Sequence, residues 1–450
     1  PKPYYFNRAL VFFIPLIMQK KIYILALLIL CVCCGKSEKM QLVAASHSKV
    51  EFNNIVTESD SLNILLYEYM YNGGGVALAD FNKDGLEDIY FTGSVVDNAL
   101  YLNKGNLVFE DITKKANASC SGSWSMGVSV IDINNDGWLD MHIAVSGKVD
   151  PEKRKNILLV NQGLNSEGIP EFIDMAESYG LAYDGFSINS YFFDYDKDGL
   201  MDMFLINNHF TNRGDALSKR SFQEDKNAPN LNRLFKNIDG QHFKDVTQES
   251  GLMNDAFSLS ANVFDINQDG WDDIFVSNDF VTSSTAFINQ KDGTFKEDIA
   301  SYFKHQSFSS MGVDVADFNN DGQDDVITLD MLPQTASRIK QMFPKTNFQF
   351  YDLLDLYKEK PQYMRNCLYV NADGSFNEIS QLANVYNTDW SWSPLLADFD
   401  DDGYKDLYIT NGFPRDLTDL DFINYRGSYE SIMATNQDFL DMIPRVKLPN

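Results

Sequence analysis

The chain has 450 residues and a formal net charge of −27, from 64 acidic and 37 basic side chains. This length is enough for two or three domains, although internal repetition is a better guide to the fold than length. The sequence contains no basic stripe that could neutralise phosphates, so its composition excludes a nucleic-acid-binding protein.

Residues 1–34, the first part of the chain, are predicted to contain an export signal. A basic pair that begins at Lys20 is followed by an apolar run over residues 22–30 and then by a cluster of cysteines. This order resembles a bacterial lipoprotein signal, which implies that Cys34 is lipidated, with Cys33 as the alternative. The alternative is a transmembrane anchor, but the apolar run is about half of the roughly 20 residues that a spanning helix needs.

The signal divides the chain into three parts. The residues before Met18 are expected to precede the true start, residues 35–48 form a linker, and residues 49–450 form the repeat domain. The mature part keeps only two cysteines, Cys120 and Cys367. We therefore expect no disulfide framework.

A nine-residue acidic motif occurs six times in the repeat domain. It has Asp at positions 1, 5 and 9, Asn or Asp at position 3, and Gly at position 6. Carboxylates crowded into one tight loop repel each other, each close pair by roughly 1–4 kcal/mol near a surface. A cation removes this repulsion, and oxygen ligands at positions 1, 3, 5 and 9, with the carbonyl of position 7, suit Ca²⁺.

The motif predicts about six calcium ions, one in each loop. The alternative is that the motif is only favourable turn chemistry, but six copies with Asp at every position 9 argue against it. The loop is not an EF-hand, because its last carboxylate comes at position 9 and strands flank it. The predicted ligands are Asp80, Asn82, Asp84, Leu86 and Asp88; Asp132, Asn134, Asp136, Trp138 and Asp140; Asp194, Asp196, Asp198, Leu200 and Asp202; Asp265, Asn267, Asp269, Trp271 and Asp273; Asp317, Asn319, Asp321, Gln323 and Asp325; and Asp398, Asp400, Asp402, Tyr404 and Asp406.

Each acidic loop joins the first two strands of a predicted four-stranded unit. In the first unit, small residues at 74–79 precede the loop and β-branched and aromatic residues at 88–92 follow it. A third strand at 100–103 and a fourth at 109–113 complete the unit. Four short strands that repeat in this way are typical of an all-β fold, the β-propeller of four-stranded antiparallel blades.

The number of blades depends on the two ends of the repeat domain. Residues 52–57 have a strand pattern but no inner strands of their own, so they could complete the last blade. Residues 447–450 resemble residues 227–230, which directly precede a third strand. The last blade is therefore expected to be incomplete here. We expect seven blades in the full protein, with six calcium hairpins in this chain, and six blades as the alternative.

Three long insertions, at 207–233, 329–366 and 411–449, fall between second and third strands. In an up-and-down meander, these connections lie on the face opposite the calcium hairpins. Long connections on a rigid scaffold are usually functional or disordered, and such loops carry recognition. We therefore expect the insertions to form a cap that meets the ligand.

An aromatic residue followed by Ser recurs on the links into the inner strands, beneath this cap. One interpretation is an aromatic ring at the mouth of the axial channel, suited to stacking on a sugar or a peptide side chain. The alternative is packing between blades, the commoner role of aromatic residues. The predicted ligand-binding residues are Trp124, Phe186, Phe257, Phe308, Trp390 and the nearby Trp392.

The acidic loops and the strand order resemble the FG-GAP/VCBS repeats of integrin α-subunit propellers. From about residue 48, the chain is similar to bacterial surface lipoproteins that are built from these repeats and are often continued by an ASPIC/UnbV domain. The literal Phe-Gly and Gly-Ala-Pro tripeptides are absent, so the resemblance rests on the loops and the strand order. It implies metal ligands at the loop positions given above and an exported protein, lipid-anchored in the outer membrane or at the cell surface.

The sequence favours a binding or adhesion module over an enzyme. No nucleophile elbow, phosphate loop or catalytic carboxylate pair stands apart from the repeats, so no catalytic residue is predicted. The expected partner is a saccharide or protein ligand on the insertion face, and the membrane is expected to be contacted through the lipid anchor alone. One alternative is a carbohydrate-active enzyme like the polysaccharide lyase propellers, which would need clustered Lys, Arg, Tyr or His with shifted pKa values. The other is a structural scaffold for a downstream domain.

Overall fold

The computed structural model describes residues 40–147, 150–208, 228–254, 256–279, 282–342, 360–428 and 435–445, together with the single residues 348, 352 and 356. The chain divides into two units, residues 1–43 and 44–450, and every element named here lies in the second. The predicted lipidation site at Cys34 falls outside the described residues, as does most of the insertion at 207–233. Within the described residues, no helix has the length and apolar character needed to cross a membrane.

The second unit is an all-β structure built from four-stranded antiparallel sheets, in which the strands lie side by side in chain order. The first two sheets contain β1 (Val76–Ala79), β2 (Asp88–Phe91), β3 (Ala99–Asn103) and β4 (Phe109–Asp111), then β5 (Ser125–Ile131), β6 (Asp140–Val145), β7 (Ile157–Leu164) and β8 (Pro170–Asp174). The next two contain β9 (Ser187–Phe193), β10 (Asp202–Asn207), β11 (Arg233–Asn237) and β12 (Phe243–Asp245), then β13 (Ser258–Phe264), β14 (Asp273–Asn278), β15 (Thr285–Asn289) and β16 (Phe295–Glu297).

The last part of the chain departs from this pattern. A short parallel pair, formed by β17 (Gln306–Ser307) and β20 (Gln362–Tyr363), stands apart from the fifth sheet. The fifth sheet contains β18 (Val313–Ala316), β19 (Asp325–Thr328), β21 (Cys367–Ala372) and β22 (Ser375–Glu378). The sixth acidic loop joins a two-stranded sheet of β23 (Ser391–Ala397) and β24 (Asp406–Asn411).

Short helices lie before, between and after the sheets. The described helices are α1 (Ala45–Ser48), the 3₁₀ turn Pro151–Lys153, α2 (Ala176–Tyr179), α3 (Thr247–Ser250), α4 (Ile299–Tyr302), α5 (Ala336–Gln341), α6 (Leu420–Arg426) and α7 (Asn436–Met442). Helix α5 belongs to the insertion at 329–366, and α6 and α7 belong to the insertion at 411–449. These two insertions are therefore partly helical.

The first strands of successive sheets lie next to one another. Strand β1 contacts β5, β5 contacts β9, β9 contacts β13, β13 contacts β18, and β18 contacts β23. The approach is close: a side chain on Gly127 would place its Cβ 2.3 Å from the Asn189 side chain in the next sheet. The small residues that precede each acidic loop therefore serve this close approach. The order of the sheets is that of a propeller-like fold.

In the second, third and fourth sheets, the second strand lies in the interior. Strands β6, β10 and β14 are buried along their whole length, whereas only the first residue of each of the fourth strands β4, β12 and β16 is buried. This difference explains why the middle residues of these second strands are mainly apolar, whereas the fourth strands have charged residues directly after their first residue.

A segment that the sequence did not single out, residues 58–72, lies in the largest apolar cluster, and we call it the central segment. Its Ile64, Tyr67, Tyr69 and Met70 are buried there with residues of the second, third and fourth sheets and of the links into the fifth and sixth sheets. Tyr69 donates a hydrogen bond to Asp279 at 3.1 Å. The central segment therefore occupies the space among the first strands.

The central segment also binds the insertion at 411–449. Arg415 Nε lies 3.1 Å from Glu58 Oε2, and the rings of Tyr71 and Phe413 meet edge to face at 6.0 Å. The same apolar cluster contains Met342 of the insertion at 329–366. The described parts of two insertions thus pack onto the centre of the second unit.

The strand predicted at residues 52–57 is wrong. These residues form no strand, and Phe52 stacks on Phe91 of β2, with ring centroids 4.9 Å apart and an interplanar angle of 7°. The backbone N–H of Glu51 also donates to the Tyr101 hydroxyl at 3.3 Å. The segment packs on the first sheet because its aromatic side chain covers an apolar patch there, so it adds no strand to the last one.

Candidate metal centres

All six acidic loops fold in the same way. In the first, the carboxylate of Asp80 accepts hydrogen bonds from the backbone N–H groups of Asp84 at 3.0 Å and Gly85 at 2.8 Å. Asp84 in turn accepts from the N–H of Leu86 at 2.9 Å. The same three hydrogen bonds recur in each of the other five loops. Position 7 therefore holds position 5 through its N–H in every copy.

Two left-handed residues make each loop turn sharply. Position 6 is Gly in every copy, with φ between 84° and 89°. Position 4 also has a positive φ, for example 60° at Lys83 and 61° at Asn320, although no copy has Gly there. The sequence indicated the bend at position 6 but not the one at position 4. Left-handed backbone costs a side-chain-bearing residue energy, so the loops store some of that cost at position 4.

The Asp at position 9 holds the hairpin to the third strand. In the fourth loop, Asp273 accepts from the N–H of Ile266 at 3.0 Å and from the N–H of Asn289, the last residue of β15, at 2.7 Å. The first, second, third and fifth loops repeat both bonds, with Asn103, Asn161, Asn237 and Asn371 at the third strand. The recurring Asn at this position is the signal that sequence reasoning missed.

These five carboxyl groups are fully buried. Burial raises the pKa of Asp88 and Asp325 to about 6, and the pKa of Asp140, Asp202 and Asp273 to about 7, against the opposing effect of their backbone hydrogen bonds. A nearby cation would favour the charged form of each group. The carboxylates at positions 1 and 5 of the same loops add further negative charge.

The donor atoms fit a calcium ion. In the third loop, carboxylate oxygens of Asp194, Asp196 and Asp202 lie within 4.8 Å of one another, and in the sixth loop those of Asp398, Asp400 and Asp402 do so. In the first loop the Asn82 amide lies beside Asp84, with Nδ2 3.0 Å from the carboxylate. Ca²⁺ prefers oxygen ligands, whereas softer metals prefer nitrogen and sulfur, so the carboxylate groups of the third and sixth loops suit Ca²⁺.

Position 4 of one loop contacts the next loop in the chain. The contacts are Lys83 over the Trp138 ring at 4.0 Å, Lys197 over the Trp271 ring at 4.6 Å, Gln268 with Gln323 at 2.6 Å, and Asn320 with the Gly403 carbonyl at 2.9 Å. Four pairs of neighbouring loops are therefore joined by side chains, in the same sense each time.

The predicted ligand-binding aromatics are mostly interior. Trp124, Phe257 and Phe308 are each 4% exposed and Trp390 is 7% exposed. The Tyr67 ring meets Trp124 edge to face at 5.5 Å, so the central segment covers this part of the apolar cluster. Burial of this extent favours the packing alternative for these four residues.

The other two predicted aromatics, Phe186 and Trp392, are half-buried. The Arg154 guanidinium lies 4.2 Å from the centre of the Phe186 ring. The Ser that follows the aromatic begins the first strand in four sheets, and in two of them, at Ser187 and Ser258, it donates to an Asn at the end of the second strand at 2.9 Å. The aromatic-Ser pair therefore has a structural explanation at these links.

A cluster of ionisable groups lies at the C-terminal end of the insertion at 329–366. Arg365 donates to Glu378 at 3.0 Å, and the His305 ring nitrogen lies 3.3 Å from the same carboxylate oxygen. Burial by itself would raise the pKa of Glu378, but hydrogen bonds from His305 and Ser380 and the charge of Arg365 outweigh it and lower this pKa to about 2. The Glu378 carboxylate is already surrounded by hydrogen-bond donors, so we interpret this cluster as a structural ion pair.

An open cleft of about 460 Å³ lies beside the second loop, where it is lined by Asn134, Trp138, Gln241 and His242 among others. Lys83 already lies over the Trp138 ring. The cleft therefore offers amide and imidazole groups to a ligand but little free aromatic surface.

These observations define a class: an all-β protein of repeated four-stranded antiparallel sheets whose first hairpins carry acidic loops. The family model for the FG-GAP-like repeat matches residues 63–143 and 265–328. The match supports the FG-GAP part of the resemblance seen in the sequence. The matched residues contain the first, second, fourth and fifth acidic loops.

The other comparisons are less specific. No curated protein matches the chain. One solved structure, of an Agrocybe aegerita lectin described as recognising non-reducing terminal N-acetylglucosamine, is similar at a TM-score of 0.36 and 16% identity, covering 75% of this chain and 70% of the lectin chain.

Proposed function

We propose that the chain is a calcium-stabilised, lipid-anchored β-propeller of the cell envelope that binds a saccharide or protein ligand. The observation that carries this proposal is the common geometry of the six acidic loops. Each brings the carboxylates of positions 1 and 5 to one tight turn, and five of them bury a further carboxylate at position 9. Calcium, when bound, would neutralise these groups and fix each hairpin.

The arrangement of the sheets supports the propeller. Six first strands lie in sequence next to one another, each beginning a sheet whose strands follow in order. We propose seven blades for the full protein, with six calcium hairpins. An experimental structure of the full-length protein would count the blades directly.

The ligand surface is proposed on the exposed part of the insertion at 329–366. Its Ile339, Phe348 and Leu356 are 42%, 75% and 73% exposed. Apolar residues exposed on an insertion of a rigid scaffold are typical of interaction sites. The aromatic links are mostly buried and are not expected to touch the ligand.

Calcium is tested by counting ions. Native mass spectrometry of the purified protein in excess calcium should show up to six bound ions, which a chelator removes. Replacement of Asp269 by Ala should remove one ion, because position 5 is a ligand of the fourth loop alone. A protein that binds no calcium in this experiment would overturn the metal assignment.

The ligand surface is tested with a double variant, Phe348→Ala with Leu356→Ala, on panels of immobilised glycans and cell-envelope proteins. Binding should weaken about tenfold or more, as expected for interface anchors. Leu382→Ala is the matched control, since Leu382 is 86% exposed and lies outside the insertion. Unchanged binding by the double variant would move the ligand to another surface.

The anchor is tested by metabolic labelling with a fatty-acid analogue. Wild-type protein should be labelled and membrane-bound, and replacement of both Cys33 and Cys34 by Ser should release it unlabelled. Label that remains on the double variant would contradict the lipoprotein proposal.

A further inference from the structure

The third acidic loop differs from most others in charge. Its position 3 is Asp196, whereas the first, second, fourth and fifth loops have Asn there. In three of those loops the Asn amide donates to the position 5 carboxylate at 2.9 to 3.0 Å. The third loop has no amide at this position, and its extra carboxylate adds repulsion.

A lysine supplies the missing donor. Lys236, on β11, contacts Asp196 and lies 3.1 Å from Asp198 through its Nζ atom. The ammonium thus links positions 3 and 5, as the Asn amide at position 3 does in three other loops. Lys236 and Asp196 are both half-buried, which makes this pair less screened by solvent than an exposed one.

The lysine occurs in this one sheet of the five that have a described third strand. It directly precedes the Asn that contacts position 9. The residues at the same place in the other sheets are aliphatic: Leu102, Val160, Ile288 and Val370. The third sheet therefore differs from the other four at both places: Asp replaces Asn at position 3 of the loop, and Lys replaces an aliphatic residue on the third strand.

We propose that the Lys236 ammonium is a built-in cation of the third loop and competes with calcium for Asp196 and Asp198. This inference rests on the proposed function, in which the loops take calcium. The third loop then keeps its shape without metal and is the weakest calcium site among the five loops whose third strand is described. Lysine suits this role, because its ammonium is a compact charge on a flexible stem.

The site can still accept calcium when the lysine moves away. Asp196 Oδ1 is buried and has no hydrogen-bond partner in the described residues. It belongs to a group of carboxylate oxygens, with those of Asp194 and Asp202, that lie within 4.8 Å of one another. Lys236 therefore lowers the affinity without removing the cage.

A second lysine serves as the control. Lys291 Nζ lies 3.3 Å from Asp269 in the fourth loop. It comes from the turn between the third and fourth strands, is exposed, and faces a loop that keeps Asn267 at position 3. Exposed pairs of this kind contribute little, so Lys291→Leu should leave calcium binding nearly unchanged.

The experiment measures calcium binding by isothermal titration calorimetry and native mass spectrometry for the wild type, Lys236→Leu and Lys291→Leu. The wild type should have one weaker site. Lys236→Leu should bind calcium at that site at least tenfold more tightly, and its melting temperature should fall in chelator and recover in calcium. If metal-free Lys236→Leu fails to fold, Lys236→Leu with Asp196→Asn restores the pair of the other loops and should bind as they do.

Equal affinity at the weakest site of the wild type and of Lys236→Leu would overturn the inference while the remaining loops still bind calcium. An equal gain in Lys291→Leu would also overturn it, since any lysine near a loop would then have the same effect. If no variant binds calcium, the proposed function fails and the inference fails with it.

Discussion

A single carboxylate at position 9 connects each of the first five hairpins to its third strand. Asp273 is fully buried and accepts two backbone hydrogen bonds, one from inside the loop and one from β15. Its role is therefore structural, in addition to the proposed role as a calcium ligand. The two roles can be separated, because the hydrogen bonds do not depend on a metal.

Replacement of Asp273 by Asn should destabilise the protein with or without calcium. The amide keeps one acceptor and turns an NH₂ group toward a backbone N–H, and a buried donor left unpaired costs about 1–3 kcal/mol. Chemical denaturation in calcium and in chelator measures this cost. Asn267→Ala is the control. Its loss of stability should be larger in calcium than in chelator. A loss confined to calcium in the Asp273 variant would contradict the structural role.

At the residue scale, Glu378 makes a contribution to the free energy of unfolding that depends on pH. Its folded pKa of about 2 is lower than the ordinary value of 4.5. The stabilisation is therefore present above the ordinary pKa and is lost as the pH falls from about 5 toward 2. We expect Glu378→Gln to be less stable than the wild type at pH 7, with a difference that shrinks toward pH 3. Urea denaturation at several pH values measures it, and a constant difference would contradict the ion-pair assignment.

At the scale of elements, the strands follow from local sequence. The small residues before each loop and the β-branched residues after it predicted strands that the structure places at nearly the same residues, as in β1 and β2. These predictions succeed because a hairpin is specified by residues close in sequence. The Gly at position 6 and the alternation of side chains are both local signals.

The central segment could not be predicted in the same way. Its contacts with the core join residues far apart in the chain, such as Tyr69 with Asp279. Nothing in the local pattern of residues 58–72 distinguishes a loop that enters the core from one that stays outside. The burial of the aromatic-Ser links depends on the same distant packing, and so the sequence left both of their interpretations open.

Trp390 tests the packing of these elements. It stacks on Phe413 with ring centroids 4.2 Å apart and an interplanar angle of 7°. Trp390→Ala should cost about 3–5 kcal/mol of stability, as large-to-small changes in a core do, and the folded fraction should bind ligand normally. Phe399→Ala is the control, because Phe399 is exposed and should cost little. Weaker binding without loss of stability would restore the ligand-face interpretation of Trp390.

At the scale of the whole molecule, stability comes from repeated sheets and the contacts between them. Such arrays behave approximately as a sum of unit stabilities and neighbour terms. Here the loops of neighbouring units are also joined by side chains, as Lys83 is with Trp138. The central segment adds contacts that reach beyond nearest neighbours.

Calcium removal should therefore lower the melting temperature of the whole second unit in one step. When the free calcium concentration is 100 times the dissociation constant of a site, binding at that site stabilises the folded state by about 2.7 kcal/mol. Scanning calorimetry and tryptophan fluorescence should report the same midpoint, in calcium and in chelator. Identical melting curves in the two conditions would argue against the metal, and separate midpoints would argue against cooperative unfolding.

The position of the central segment also affects how the protein is made. Glu58 and Arg415, which form an ion pair, are 357 positions apart in the chain. At about 5–20 residues per second, the ribosome needs about 20 to 70 s to pass from one to the other. For that time the buried tyrosines of the segment have only part of their final surroundings. For the proposed exported protein, this apolar segment must be kept from associating wrongly until almost the last described residues have been synthesised and the chain has crossed the membrane.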